Sequence, residues 1–345
     1  MKTITIEEHF LTANALKATA KVREAGLALT YHDPVLETRL LDIGAGRIAD
    51  MDASGIDMQA LSLAVCGVEE LEPAAATSIA HDTNEELAAA VKANPARFVG
   101  FAAIALQEPE KAAAEFEYCV KKLGFKGLLI NGTTDGAFLD NARFTSVLEV
   151  AHSNDVPIYI HPAPIPMAVR KAYYSELPDH WGDMLSIGAW GWHSEVALEC
   201  LRLIVAGVFD RFPKLKIVIG HMGENLPFAM ARVDRILGRR ERPYTLSPSH
   251  GLPGAVQHRK PLERRPIEYF RENIYVTTSG FFTLPPFICA TQVVGSDHLL
   301  FSIDHPFTPN AMGREFLNSV ATQLAMHPDN LKKFTHENAQ KLLKL

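Results

Sequence analysis

Four short segments of the 345-residue chain each combine an apolar run with residues of the types that bind metal ions. They are ITIEEHF with Glu7 and His9, VPIYIHP with His161, KIVIGHMGE with His221 and Glu224, and LLFSIDHPF with Asp304. In each segment the β-branched and aliphatic residues stop at His, Glu or Asp. Parallel strands that are buried along their length and present side chains at their carboxyl ends have this pattern. The segments therefore predict a barrel of parallel strands with a metal at its mouth.

Four of these residues form a candidate metal site. Glu7 and His9 are two positions apart on an extended segment, so their side chains leave the same face, whereas Glu8 leaves the other. His161 and Asp304 follow the fifth and eighth predicted strands, and side chains at strand ends converge at a barrel mouth. Two imidazoles and two carboxylates suit one divalent ion, with zinc preferred, manganese next and magnesium less favoured. A single histidine at a strand end is more often a hydrogen-bonded structural residue, but the joint pattern favours a metal.

His221 and Glu224 lie in the segment GHMGE, directly after the sixth predicted strand. Gly220 and Gly223 allow a tight turn there. A carboxylate three residues beyond a histidine can hydrogen-bond the ring, fix its tautomer and raise its basicity, which suits a proton-transfer group. We therefore interpret His221 and Glu224 as a catalytic dyad. The alternatives are that Glu224 caps the following helix, and that His221 is a fifth ligand or a structural residue.

The rest of the chain supplies the elements that position these residues. Eight short apolar runs are typical of buried parallel strands: 3–6, 59–63, 98–104, 127–130, 156–160, 216–219, 274–278 and 299–303. Helical segments separate most of them, at 73–93, 109–124, 141–153, 194–211, 225–240, 309–326 and 328–344. This alternation predicts that residues 1–345 form one domain, a (β/α)8 TIM barrel with elaborated βα loops. An open doubly wound sheet is the alternative, but no G-x-G-x-x-G motif follows the first strand.

Two stretches are longer than an ordinary connection and are predicted insertions in the barrel. Residues 163–193 contain Trp181, Trp190 and Trp192, which are all the tryptophans of the chain. Residues 239–272 are rich in Pro and Arg. Both stretches are candidates for an active-site cap or a subunit contact, and a solvated charged excursion is the alternative for the second.

Composition argues against several classes of protein. The net charge of −6 and the pI near 6.2 give no overall basic field for nucleic acid. No apolar run approaches the roughly 18 residues that would span a bilayer, and the N-terminus MKTITIEEHF lacks the apolar core of a signal peptide. We therefore expect a cytoplasmic protein that acts on a small molecule. Its widely spaced cysteines are expected to be free thiols: Cys66, which follows a predicted strand, Cys119, Cys200 and Cys289.

The same motifs resemble a known family. The opening ExHF, the HP after the fifth strand, the segment GHMGE and the closing SIDHPF resemble the metal-dependent decarboxylase branch of the amidohydrolase superfamily. Its members include 2,6-dihydroxybenzoate (γ-resorcylate), 2,3-dihydroxybenzoate, salicylate, carboxyvanillate and aminocarboxymuconate semialdehyde decarboxylases. The likeness covers nearly the whole chain, including CVKKLGFKGLLING, GVFDRFPKLKIVIGHMGE and ENIYVTTSG.

The resemblance implies no organic cofactor and one divalent metal, held by Glu7, His9, His161 and Asp304. It implies non-oxidative loss of CO2 from an aromatic acid whose carboxylate and adjacent hydroxyl approach the metal. Asp304 is then similar to the family carboxylate that delivers a proton to the ring carbon bearing the carboxylate. His221, supported by Glu224, handles the phenol proton or holds the hydroxyl.

Two arginines have counterparts in this family. Arg232, in PFAMARVD, stands where these decarboxylases place an arginine that reaches a neighbouring subunit's pocket, which implies a homo-oligomer, a dimer or a tetramer. An ordinary exposed arginine is the alternative. Arg47, in GRIADMDASGID, stands where some relatives have a substrate-contacting arginine.

The sequence departs from the dihydroxybenzoate pattern around the pocket. Those enzymes carry Arg and Asn directly after the HP of the fifth strand, where this chain has Ala163 and Pro164. They carry a polar residue after TTSG, where this chain has Phe281 and Phe282. Because these changes remove polar partners of a dihydroxylated ring, we expect a substrate with fewer hydroxyls, a methoxy group or no aromatic ring. Phe281 and Trp190 are candidate substrate walls, and core packing is the alternative for Trp190.

The leading hypothesis is a lyase that decarboxylates a small aromatic hydroxy acid without oxidation. The alternative is a hydrolase on the same barrel, in which metal-bound water attacks a lactone or a related ring and Asp304 acts as its base. A barrel used only for binding is disfavoured, because the ligand set and the dyad are both complete.

Overall fold

A computed structural model describes the chain over residues 1–20, 33–65, 67–238 and 262–345. Eight parallel strands follow one another in chain order around a single sheet. Their bounds are β1 Ile4–Phe10, β2 Met58–Leu63, β3 Phe98–Ala102, β4 Gly127–Asn131, β5 Ile158–His161, β6 Ile217–Ile219, β7 Ile274–Thr277 and β8 Leu299–Leu300. Each predicted apolar run overlaps one of these strands, so the (β/α)8 prediction is confirmed.

The last strand and the first are joined beyond the short β8. Glu8 and His305 form an isolated parallel bridge. The amide of His9 donates to the carbonyl of His305 at 2.7 Å, and the amide of Asp304 donates to the carbonyl of Glu7 at 3.0 Å. The segment after β8 therefore closes the barrel against the residues of β1 that carry candidate chemistry.

Helices connect successive strands and cover the outside of the sheet. The α-helical bounds are Ala13–Ala18, Pro34–Leu41, Ala45–Ser54, Pro73–Ala93, Pro109–Tyr118, Thr145–Asn154, Met167–Tyr173, Trp181–Ser186, Gly191–Val205, Val208–Arg211, Leu226–Leu237, Pro266–Asn273, Leu284–Val294, Asn310–Gln323, Pro328–Lys332 and Asn338–Leu343. Helix Pro73–Ala93 has the predicted bounds, with proline at its first position, where the missing N–H costs nothing. The predicted helix 109–124 instead continues after Tyr118 as a π-helix, Cys119–Leu123, and stops at Gly124, whose φ is 75°.

The barrel interior is packed with apolar side chains. One buried cluster takes at least one side chain from every strand: Ile4, Ile6, Ala60, Val99, Phe101, Leu129, Tyr159, Val218, Tyr275 and Leu300. Such a layer is what fills a closed eight-stranded barrel. Leu342 and Leu343 of the last helix pack against the same cluster. The candidate ligands follow the residues of this layer along their strands, towards the carboxyl ends.

The two predicted insertions differ in what the structure describes. Residues 163–193 include helices Met167–Tyr173 and Trp181–Ser186 and expose many large apolar side chains: Met167, Tyr173, Leu177, Trp181, Met184, Leu185 and Trp190. In the second insertion, residues 239–261 lie outside the described residues, and helix Pro266–Asn273 follows. Cys66 also lies outside them. No helix in the described part of the chain is both long and apolar enough to span a membrane.

Candidate active site

The structure brings the four candidate metal ligands together at the barrel mouth. One ligand atom from each of Glu7, His9, His161 and Asp304 lies within 4.8 Å of the others. Nε2 of His9 lies 3.2 Å from Oδ1 of Asp304, and Nε2 of His161 lies 3.3 Å from Oε1 of Glu7. The set offers two nitrogen and two oxygen donors, the composition of a site for a borderline divalent cation.

Unpaired atoms within this cluster test whether a cation fits. Oε1 of Glu7, Nε2 of His9 and Oδ1 of Asp304 are buried and have no hydrogen-bond partner among the described residues. Leaving a polar atom buried and unpaired costs about 1–3 kcal/mol, and more when the group is charged. One divalent ion would pair all three atoms at once. The residues present therefore fit a metal ion.

Hydroxyl groups hold the other oxygen of Glu7. Oε2 accepts hydrogen bonds from the hydroxyls of Tyr159 and Ser279, and Thr277 lies 3.5 Å away. Burial raises the pKa of Glu7. Partners of this kind orient a ligand so that its free oxygen faces the ion.

Gly220 makes room for this carboxylate. A Cβ atom added to Gly220 would lie 2.7 Å from Oε2 of Glu7 and 3.0 Å from the hydroxyl of Tyr159. Its φ of −81° is open to any residue. Gly220 is thus required by close approach, and the tight turn expected from the sequence begins only at the next residue.

Glu8 holds the segment that carries Asp304. Its Oε1 accepts from the amide of Ile303 at 3.0 Å and its Oε2 from the amide of His305 at 3.0 Å. Burial raises the pKa of Glu8 to about 8. Asp304 itself has a φ of 70°, in the left-handed region, and such backbone persists only where neighbours hold it. The sequence analysis gave Glu8 no role. An acidic side chain on the other face of a buried strand nevertheless needs hydrogen-bond donors around it, and this was the available signal.

Arg47 is bound to backbone carbonyls near the end of β1. Its side chain is buried, with Nε donating to the carbonyl of Asp42 at 2.8 Å and Nη2 donating to the carbonyl of His9. Burial lowers its pKa to about 10. Nη1 also donates to Oε1 of Gln59 at 3.3 Å. The side chain therefore anchors the end of β1, and contact between Arg47 and a substrate stays a prediction.

The contact between His221 and Glu224 is present. Nδ1 of His221 lies 2.7 Å from Oε1 of Glu224, and both residues are buried. The single turn His221–Glu224 and the following Asn225 have φ values between 49° and 84°, all left-handed. This conformation costs about 1–2 kcal/mol for each residue other than glycine. Glu224 does not cap helix Leu226–Leu237, whose N-cap residue is Asn225.

Charge within this pair is strongly stabilised. Burial alone would raise the pKa of Glu224, but the neighbouring His221 and His193 lower it to about 2. Burial alone would lower the pKa of His221, but Glu224 and Glu7 raise it to about 10. The described arrangement therefore favours an imidazolium beside a carboxylate.

His193 is a further member of this group, to which sequence reasoning gave no role. Its Nδ1 lies 2.6 Å from Oε2 of Glu224. It lies in the first turn of helix Gly191–Val205, within the tryptophan-rich insertion. A histidine at the end of an aromatic loop was the available signal, and only the fold shows which carboxylate it meets.

A cavity of about 300 Å³ opens beside the dyad. It is lined by His221, Met222, Asn225, Pro227, Phe228, Phe281, Pro285, Pro286 and Cys289. The ring of Phe281 meets the rings of His221 and His193 edge-on, with centroids 5.5 and 5.1 Å apart. Phe281 therefore forms part of the cavity wall, and its contact with a substrate stays a prediction.

The other aromatic and arginine candidates lie farther out. Trp190 is 53% exposed and is not among the described residues that line the cavity. Phe282 stacks on Phe316, with a centroid distance of 5.3 Å. Arg232 is exposed on helix Leu226–Leu237. Neither Trp190 nor Arg232 is therefore part of the cavity wall formed by this chain's described residues.

The fold and the site define a barrel enzyme with a divalent-metal centre, and comparison with known proteins gives its family. The amidohydrolase family model matches residues 32–345. A γ-resorcylate decarboxylase of Polaromonas sp. is 36% identical over 350 residues, covering 99% of this chain and 98% of that protein.

Two solved structures carry a metal. The dihydroxybenzoic acid decarboxylase of Polaromonas sp., with bound manganese and the inhibitor 2-nitroresorcinol, is 34% identical, with a TM-score of 0.85 over 100% of this chain and 97% of that one. The 5-carboxyvanillate decarboxylase of Novosphingobium aromaticivorans, in complex with manganese and 4-hydroxy-3-methoxy-5-nitrobenzoic acid, is 32% identical, with a TM-score of 0.87 over 100% and 96%. The chain belongs to the amidohydrolase family and, within it, to the metal-dependent decarboxylase branch, whose enzymes are carbon–carbon lyases.

Proposed function

We propose that this protein removes CO2, without oxidation, from a small aromatic hydroxy-carboxylic acid. The proposed ligands of its divalent ion are Glu7, His9, His161 and Asp304. One observation carries the proposal: unpaired ligand atoms converge next to a histidine–carboxylate pair in a chain that is similar to decarboxylases along its length. Nε2 of His221 lies 3.9 Å from Oε1 of Glu7, so the pair and the ligand cluster share one space.

In the proposed mechanism Asp304 transfers one proton and His221 holds the hydroxyl that carries another. A bound divalent ion would act as a Lewis acid on the substrate carboxylate and the adjacent hydroxyl. Asp304 delivers its proton to the ring carbon that bears the carboxylate, and the ring loses aromaticity. The bond to the carboxylate then breaks, its electron pair restores the ring, CO2 leaves, and Asp304 regains a proton from solvent. His221, held by Glu224, keeps the neighbouring hydroxyl and its proton in place.

The cavity wall supports a substrate with few hydroxyls. Phe281, Met222 and Pro286 present apolar surface beside His221, and Ala163 and Pro164 follow the strand that ends at His161. A hydroxyl placed against this wall would lose its water without gaining a partner. We therefore propose a monohydroxylated or methoxylated benzoate in preference to a dihydroxylated one.

We also propose manganese as the ion, in place of the zinc expected from the sequence. The donor set of two imidazoles and two carboxylates accepts either metal, and two neighbours of 34% and 32% identity carry manganese. Elemental analysis of protein purified without chelators tests this. Zinc at one equivalent, with activity that added manganese does not raise, would overturn it.

We further propose a homo-oligomer that buries the surface around Phe228. Phe228 is 88% exposed, and exposed apolar surface marks interfaces. Arg232 lies four residues beyond Phe228 on one helix and therefore on the same face. A subunit seated on this surface would bring Arg232 towards its cavity. Light scattering tests the state, with Phe228→Ser expected to shift it towards monomer.

CO2 release from the metal-loaded protein tests the activity. The panel contains hydroxy- and methoxybenzoates, and Asp304→Asn is the control. Release by the wild type that falls by about 100-fold or more in the variant is expected for the loss of a general acid. If the metal-bound protein releases no CO2 from any compound of the panel, or forms a product that gains a carboxylate, the decarboxylase proposal is overturned and the hydrolase is favoured.

A further inference from the structure

Both ring nitrogens of His193 are engaged in hydrogen bonds. Nε2 lies 2.8 Å from the carbonyl oxygen of Gly188, and Nδ1 lies 2.6 Å from Oε2 of Glu224. The residue is 4% exposed. His193 thus joins the insertion after β5 to the turn after β6, and its ring lies edge-on to that of His221, with centroids 4.9 Å apart.

The proton count of these contacts is fixed by the atoms involved. A carbonyl oxygen only accepts, so Nε2 of His193 carries a proton and donates it to Gly188. The contact between Nδ1 and Oε2 of Glu224 needs a second proton, on either atom. The contact of Oε1 with Nδ1 of His221, at 2.7 Å, needs a third. Both oxygens of Glu224 are therefore bound, each by a different imidazole.

We propose that His193 is a positioning residue that, together with Glu224 and His221, forms a three-residue unit. With both oxygens held, the carboxylate of Glu224 cannot rotate away from Nδ1 of His221. Nε2 of His221 is then kept on the side of Glu7, 3.9 Å from its Oε1. Histidine–carboxylate partners beyond the reacting groups act by such orientation. The expected effect of His193 on kcat rests on the proposed decarboxylase activity. Its expected effect on the position of His221 does not.

Two matched substitutions distinguish this positioning role from a purely structural role, in which His193 only holds the carbonyl of Gly188. The side-chain nitrogen of His193→Asn occupies the place of Nδ1 and can donate to Glu224, but the variant loses the contact with Gly188. The nitrogen of His193→Gln occupies the place of Nε2 and can donate to Gly188, but it leaves Oε2 of Glu224 without that donor. The positioning role predicts that Asn rescues and Gln does not. A structural tie predicts the reverse.

The kinetic test compares kcat and KM for CO2 release by the two variants. We expect kcat of His193→Gln to fall by about 10- to 100-fold with little change in KM, the range seen when a supporting partner is removed. We expect His193→Asn to stay within about threefold of the wild type. Equal losses in both variants, or a loss confined to His193→Asn, would overturn the proposal.

Crystal structures of the two variants test whether His193 positions Glu224 and His221, and they need no substrate. A contact between His221 and Glu224 that is kept in His193→Asn and broken in His193→Gln supports it. A contact kept in both variants overturns it. If the wild type releases no CO2, the decarboxylase proposal fails, and these structures still decide the role of His193. Thermal unfolding of both variants shows whether either has simply lost its fold.

Discussion

Nε2 of His9 lies 3.2 Å from Oδ1 of Asp304, which places a side chain of the first strand against one that follows the last strand. The two atoms are buried and lack other partners among the described residues. Closure of the barrel and assembly of the metal site are therefore one event. Anything that loosens the join between β1 and the segment after β8 is expected to weaken metal binding as well.

Removal of the metal is expected to lower stability as well as activity. A ligand that binds only the folded state stabilises it by about 4 kcal/mol at a concentration 1,000 times its Kd. We expect the melting temperature to fall after dialysis against a chelator and to recover when Mn²⁺ is returned. Calorimetry with parallel elemental analysis measures this. An unchanged melting temperature in verified metal-free protein would contradict a metal held by these four residues.

Glu8→Gln is expected to impair the site without removing a ligand. Gln offers one acceptor and one donor where the carboxylate accepts from two amides, those of Ile303 and His305, so one contact becomes a repulsion between donors. We expect metal affinity and kcat/KM to fall by about 10- to 100-fold. Glu70→Gln, at an exposed position, is the matched control. Equal metal affinity and kcat/KM in the two variants would show that the hydrogen bonds of Glu8 have no effect on Asp304.

Gly220→Ala is expected to displace Glu7. The added Cβ would lie 2.7 Å from Oε2 of Glu7, closer than carbon and oxygen approach without bonding. We expect weaker metal binding and a loss of activity of about 100-fold, because a displacement of about 1 Å has that effect on catalytic geometry. Gly44→Ala is the control, since its Cβ would meet only Asp42, at an ordinary 3.6 Å. Full metal content and activity in Gly220→Ala would refute the close-approach argument.

Glu199 is expected to make stability depend on pH. Burial raises its pKa to about 8, and its Oε1 accepts from the amide of Leu139 at 3.1 Å. An acid whose pKa is higher in the folded state is penalised in its ionised form. The contribution of Glu199 to the free energy of unfolding is therefore most favourable below about pH 4.5, and it is lost as the pH rises to about 8.

The variant Glu199→Gln removes this titration. Relative to the variant, the wild type is expected to lose about 4 kcal/mol of unfolding free energy between pH 5 and pH 8.5, since each pKa unit corresponds to about 1.4 kcal/mol. Denaturant unfolding at both pH values measures the difference. Glu110→Gln, at an exposed position, is expected to show none. A constant difference between wild type and Glu199→Gln would mean that the carboxyl is ionised throughout.

Much of the fold is readable from local patterns. Each apolar run predicted as a strand overlaps one, and helix Pro73–Ala93 has its predicted bounds. Buried parallel strands need apolar residues on both faces, and helix ends need particular residues, so both leave marks in the chain. The π-helix Cys119–Leu123 left no such mark, because its residues are ordinary helix formers and only its hydrogen-bond spacing differs.

The sequence by itself determined which residue types stand at the strand ends, and alternation along β1 placed Glu7 and His9 on one face, away from Glu8. The tertiary structure decided which groups these residues meet. It turned Arg47 inward, gave Glu8 the amides around Asp304, required a glycine at position 220 beside Glu7, and brought His193 to Glu224. The reason is physical: strand periodicity is a property of neighbours in the chain, whereas each of these contacts joins residues that become neighbours only when the barrel closes.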